Sequence, residues 1–165
     1  MDRINIIKQF YQEFNLKDFQ AMNQHYAKEV EFYDPAFRLL KNDEVRAMWH
    51  MLCAAARDLS IECTSATIME NGKVNATWEA HYTFSGTGRR VHNVINAEFT
   101  FIEDKIIQHH DHFDMSKWTR MALGTPGVLL GWTSWMKNKV SGKARNNLLK
   151  FMRENPDYQV QSLSY

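Results

Sequence analysis

Residues 70–84 read Glu70-Asn71-Gly72-Lys73-Val74-Asn75-Ala76-Thr77-Trp78-Glu79-Ala80-His81-Tyr82-Thr83-Phe84, and this stretch decides the fold. Asn-Gly between two alternating runs is the strongest short-range signal for a tight β-hairpin. Beyond the turn, Trp78, Tyr82 and Phe84 fall on one strand face, and Glu79 and His81 on the other. Two more turn signals follow, Ser85-Gly86-Thr87-Gly88 and Glu103-Asp104-Lys105. The segments between them predict strands over roughly 60–70, 73–84, 91–102 and 105–114, a four-stranded antiparallel meander. Strands that long must twist, so the sheet is expected to curl.

Upstream of the meander the period is helical. Ile7, Phe10, Tyr11 and Phe14 sit at i, i+3, i+4 and i+7, with Asp2 as N-cap and Asn15 able to end the helix in a left-handed turn. A shorter helix is expected from Asp18, with Phe19, Met22 and Tyr26 inward. Val30 to Tyr33 reads as a short strand stopped by Asp34-Pro35, because proline cannot donate to a ladder. A third helix begins near Asn42, with Val45, Met48, Trp49, Leu52, Cys53 and Ala56 at helical spacing. Helices first and a curled sheet afterwards predict an α+β fold, a cone-shaped antiparallel sheet wrapped around the third helix with a pocket at its open end.

Downstream, Met115 to Leu123 reads as a helix broken by Gly124-Thr125-Pro126-Gly127. The most apolar stretch of the chain comes next, Val128 to Met136 with Trp132 and Trp135, and then a basic helix carrying Ala144, Leu148, Phe151 and Met152 on one side. The division expected is a domain over 1–122 and a helical extension over 123–165. The apolar stretch has three readings: a lid, a dimer contact, or an interfacial patch on a membrane. Its nearly continuous hydrophobicity favours the first two.

With 165 residues, 44% hydrophobic and 13% aromatic, the chain is large enough for one well-packed core. The net charge of +1 gives no argument for nucleic acid as a partner. Cys53 and Cys63 have neither zinc-site nor disulfide-framework spacing. The start lacks a leader-like apolar segment and no run approaches ~18 apolar residues, so stable membrane insertion is not expected and a cytoplasmic location is the default.

The chemistry-bearing motif is His109-His110-Asp111-His112-Phe113-Asp114. Alternation puts His109, Asp111 and Phe113 on one face and His110, His112 and Asp114 on the other. An acid beside an imidazole is equipment for proton transfer. The second trio has ligand types for zinc, but one strand gives poor tetrahedral geometry, and no metal or cofactor is expected.

Tyr26-Ala27 leading into Phe32-Tyr33-Asp34-Pro35, then Glu44 to Trp49, then Asp104-Lys105-Ile106 leading to Asp111-His112-Phe113-Asp114, resemble the nuclear transport factor two-like superfamily. More narrowly they are similar to its SnoaL-like branch, which holds polyketide cyclases and ketosteroid-isomerase-like proteins. Against the isomerases, the resemblance puts the general-base aspartate at Asp34 and the oxyanion-hole tyrosine at Tyr11. The second oxyanion-hole group falls on Ala97, which donates nothing, so steroid isomerisation is not implied. The branch's cyclases look to an acid on the last strand, which Asp111 matches, and that alignment turns His109, Asp111 and Phe113 inward. The resemblance thus implies a small-molecule-binding protein, homodimeric through the outer face of its sheet. Its expected activity is cofactor-free isomerase, cyclase or hydrolase chemistry on a small apolar carbonyl-type substrate. Asp111 is the expected base, oriented by His109, with Tyr11 as oxyanion donor and Asp34 as a second acid. Phe113, Met48, Trp49, Trp78 and Trp132 are the expected substrate-binding side chains. The alternative is a non-catalytic module that holds a hydrophobic ligand or assembles dimers.

Overall fold

The computed structural model describes residues 2–158. Two helices, α1 (Arg3–Asn15) and α2 (Phe19–Gln24), precede a hairpin of β1 (Tyr26–Asp34) and β2 (Arg38–Lys41). Helix α3 (Asp43–Ala55) leads into the meander β3 (Ser60–Ile68), β4 (Val74–Phe84), β5 (Arg89–Ile102) and β6 (Lys105–His112). Helices α4 (Met115–Leu123), α5 (Thr125–Leu130) and α6 (Ser134–Glu154) follow. The strands form one curved, unclosed sheet in the order β2-β1-β6-β5-β4-β3. The expected meander is its larger part. Strand β1 joins parallel to β6, while the other neighbours are antiparallel.

Local chemistry accounts for most boundaries. Asp2 and Asp18 cap α1 and α2 by accepting from Ile4 N–H and Ala21 N–H. Met69 N–H donates to Lys73 O and Gly72 N–H to Met69 O, so the Asn-Gly turn is a three-residue loop with Gly72 at φ +79°. A type I turn followed by a left-handed residue needs that glycine. Several expectations are corrected. Tyr26 opens β1 instead of lying inside α2, and β2, with Leu40 its single buried residue, goes unanticipated. Lys17, two residues past Asn15, takes the positive φ after α1. Asn42 stands at the N-cap of α3 but makes no side-chain cap bond. Strand β6 stops at His112, because Asp114 turns to cap α4 by accepting from Ser116 N–H and Lys117 N–H. That role takes Asp114 out of the outer-face trio with His110 and His112.

The sheet curls over α1 as well as α3. Phe10, Tyr11 and Phe14 of α1 and Trp49 of α3 meet Phe32, Trp78 and Phe99 from the strands in one buried ring cluster. Which face of β6 joins that cluster depends on a bulge. Thr100 pairs with Gln108 but Phe101 pairs with Ile106, leaving Ile107 as an extra residue. An extra residue reverses the alternation. Ile106 and His109 are therefore both inside, at 0% exposure.

The C-terminal helix belongs to the same core: Leu148 and Met152 of α6 lie in the buried cluster. Ser141 Oγ donates to Pro35 O, and Arg145 donates to Phe37 O and Leu39 O, binding α6 to the β1–β2 hairpin. Arg145 also sits 3.6 Å from Glu44 at the start of α3. Helices α4 and α5 meet through glycine: a β-carbon at Gly127 would lie 2.0 Å from Thr119 O. Gly127→Ala is expected to lose about 1–3 kcal/mol by overpacking. Gly142→Ala, in α6 with nothing within 4 Å, should gain about 0.5–1 kcal/mol from helix propensity. Urea unfolding of the two variants checks this, and equal midpoints would contradict the close α4–α5 approach.

Candidate functional site

The site grows from two parallel rungs of β1 and β6. Phe32 pairs with His109 and Tyr33 with His110. The residues that follow on the two strands, Asp34 and Asp111, are both buried, and the Asp111 charge acts on Asp34. On the other flank Asp111 pairs with Ala97 of β5, and Ala97 with Ala76 of β4. Both alanines are small and buried, so the carboxyl row is not crowded from that side.

A polar chain threads the core to reach Asp111. Trp49 N–H donates to Tyr26 OH at 2.8 Å. Tyr26 OH lies 2.8 Å from His109 Nδ1, and His109 Nε2 lies 3.0 Å from Asp111 Oδ1. Trp78 N–H also reaches Oδ1, at 3.3 Å. The indole can only donate, so Tyr26 accepts from it and offers its own hydrogen to Nδ1. Nε2 then carries the ring proton and donates a hydrogen bond to Asp111 Oδ1. Both donors land on Oδ1, and Oδ2 accepts no hydrogen bond among the described residues.

Asp34 closes the β1–β2 turn. Its Oδ1 accepts from Ala36 N–H at 2.9 Å and Phe37 N–H at 2.5 Å. Burial raises its pKa to about 7, the Asp111 charge adds to the rise, and the backbone donors oppose it. Tyr11 stacks on Trp78 with centroids 5.1 Å apart. Its hydroxyl is buried without a partner, and burial together with the Asp111 charge holds its pKa well above the ordinary value. The Asp111 charge is thus felt at both Asp34 and Tyr11, and among the described residues the Tyr11 hydroxyl is left as an unused donor and Asp111 Oδ2 as an unused acceptor. The arrangement can exchange a proton and donate to an oxyanion.

The remaining expected residues are placed differently. His109 is enclosed by Phe10, Tyr26, Phe32, Trp49 and Phe99, and its two ring nitrogens are taken up by Tyr26 and Asp111, so it acts through Asp111. Trp49 and Met48 are fully buried, Phe113 is half-buried against the core, and Trp132 is 71% exposed with its N–H on Leu129 O. Tyr26 is the participant that sequence reasoning missed as a polar link, since helical spacing masked it as an apolar contact. Between α1 and β3 lies a cleft of ≈ 480 Å³ lined by Lys8, Tyr11, Gln12, Asn15, Ile61 and Cys63 among others. Glu79, His81 and His92 gather on the outer face, with potential ligand atoms within 4.8 Å of one another, and could hold a metal ion.

The SnoaL-like domain family matches residues 7–109, and the chain belongs to that family. No curated protein matches it in sequence. Solved structures share the fold at low identity. One is the epoxide hydrolase/cyclase-like enzyme SalBIII of pyran ring formation in polyether salinomycin (18% identity, TM-score 0.61, 70% of this chain and 92% of that one). Another is a hypothetical protein with a ketosteroid isomerase-like fold from Catenulispora acidiphila, in complex with trimethylamine (12%, TM-score 0.64, 74% and 95%). A third is an LEH-like epoxide hydrolase from M. tuberculosis (12%, TM-score 0.61, 81% and 94%).

The raised Asp34 value has a consequence for stability. Between its ordinary 3.8 and about 7, the folded protein retains a proton that the unfolded chain has released. Stability therefore falls as pH rises across that window, by up to about 4 kcal/mol for roughly three pH units. Asp34→Asn removes this contribution. The variant and the parent should differ least near pH 4, and the variant should gain on the parent up to about pH 7 and level off above it. Urea unfolding across the range checks it, and a pH-independent difference would contradict the assignment.

Proposed function

We propose that the protein is a small-molecule enzyme that works without a cofactor, by acid–base chemistry at the Asp34–Asp111–Tyr11 locus. The observation that carries this reading is the pair of buried carboxyls on adjacent strands, one of them with a pKa of about 7. A base is most effective when it titrates near the working pH, so Asp34 takes the role that the sequence had favoured for Asp111. Asp34 removes a proton from a carbon next to a carbonyl. The C–H electron pair moves into the new C=C bond, and the carbonyl oxygen becomes an enolate that accepts from Tyr11 O–H. In a β,γ-unsaturated ketone the enolate is a dienolate, and return of the proton from Asp34 to the γ-carbon completes an isomerisation. Attack by the α-carbon on a second carbonyl, whose oxygen then takes the proton from Asp34, completes a ring closure. In hydrolysis of an ester-type carbonyl, Asp34 takes a proton from a water whose oxygen bonds to the carbonyl carbon, and Tyr11 O–H donates to the resulting oxyanion. The C–O bond to the leaving alkoxide breaks as Asp34 returns the proton to it. Asp111, held by His109 and Trp78, supplies fixed negative charge, and His109 is a positioning residue.

A binding module without turnover is the second reading, favoured by the ring packing around His109 and by the structural duty of Asp34 in its turn. Proton exchange separates the two. With small cyclic ketones in deuterated water, catalysed α-proton exchange should rise with pH and level off above about 7, as Asp34 ionises. Asp34→Asn should lower the plateau about 100-fold or more and remove the step. Tyr11→Phe should lower the rate while leaving the midpoint in place. Ketone binding without exchange would favour the second reading.

A further inference from the structure

We infer that the α5–α6 elbow is a docking surface for the headgroup region of an anionic lipid bilayer, a reading independent of the acid–base site. In α5 the usual burial pattern is inverted. Gly127 and Gly131 face α4, where a β-carbon would meet Thr119 at 2.0 and 2.1 Å, and this close seat turns the large side chains outward. Val128, Leu129, Leu130, Trp132 and Trp135 are 41–71% exposed, five large apolar side chains within eight residues. An exposed apolar patch of contiguous residues marks an interaction site, and tryptophan beside aliphatic residues suits the bilayer interface.

Charge selects the partner. From Met115 to Arg153 the chain carries eight lysines and arginines and no acidic residue. On α6, Trp135, Lys139, Lys143, Asn146 and Lys150 are exposed and follow at helical spacing along one face, opposite the buried Ser141, Leu148 and Met152. The Lys139 ammonium lies 4.9 Å over the Trp135 ring, so cation and aromatic share one spot. Lys117 and Arg120 on α4 are exposed beside the same elbow. An apolar tip flanked by a cationic stripe matches an anionic headgroup layer over acyl chains. It does not match a second copy of itself, because two such elbows would bring like charges together. No helix among the described residues is long and apolar enough to cross a membrane, so attachment is peripheral.

Vesicle sedimentation of the full chain tests this. Phosphatidylcholine–phosphatidylglycerol vesicles should carry the protein down and shift its tryptophan emission to the blue, and phosphatidylcholine alone should not. Added salt should weaken the binding. Trp132→Ser with Trp135→Ser should lower partitioning about tenfold or more, and Lys139→Ala with Lys143→Ala should lower it and flatten the salt response. All four positions are exposed, and far-UV circular dichroism of each variant verifies folding. Three outcomes would overturn the proposal: folded protein left in the supernatant with anionic vesicles, binding indifferent to both double variants, or a dimer in sedimentation velocity that the tryptophan variant dissolves without any vesicle binding.

Discussion

The hydrogen-bond chain from Trp49 through Tyr26 and His109 to Asp111, joined there by Trp78, is the interaction on which the rest depends. It links α3, β1, β6 and β4 through groups that are all buried. Inside a ring-packed core, each unmade hydrogen bond costs about 1–3 kcal/mol, so the chain constrains the register of three strands at once. It also fixes where a negative charge stands. That charge, on the strand next to Asp34, adds to burial in keeping the Asp34 carboxyl protonated to about pH 7. Structural order and chemical reactivity come from one set of contacts.

Much of the architecture was legible in the sequence for identifiable reasons. The Asn71-Gly72 turn, the alternation of Trp78 with Glu79 and the helical spacing of Phe10, Tyr11 and Phe14 are local signals that tertiary packing did not overrule. Strand β2 was hidden because four residues with one buried side chain carry no period. The inward face of β6 could not be read by alternation. Counting from Ile106 would have put Gln108, His110 and His112 inside, and the extra residue at Ile107 reverses that choice. The resemblance to a family supplied what periodicity could not. For the site, Asp34 and Tyr11 came from that resemblance, whereas the route from Tyr26 to His109 needed a parallel β1–β6 pairing that no local pattern encodes.

The C-terminal segment has two faces with different duties. Leu148, Met152, Ser141 and Arg145 hold α6 against the core and the hairpin that presents Asp34. The α5–α6 elbow, in contrast, leaves its apolar side chains in solvent. Continuous hydrophobicity between 128 and 136 had favoured burial against protein, but two glycines packed on Thr119 turn the bulky residues outward. Small residues thus decide which way large ones point, a consequence of close packing rather than of hydrophobic pattern.

The orientation of the buried imidazole tests this account most directly. A ¹⁵N-edited long-range spectrum of selectively labelled protein reports which nitrogen of His109 bears the proton. The expected result is a proton on Nε2, directed at Asp111, with Nδ1 accepting from the Tyr26 hydroxyl. A proton on Nδ1 alone, or a ring averaging between the two forms, would mean that the chain does not fix Asp111 beside Asp34.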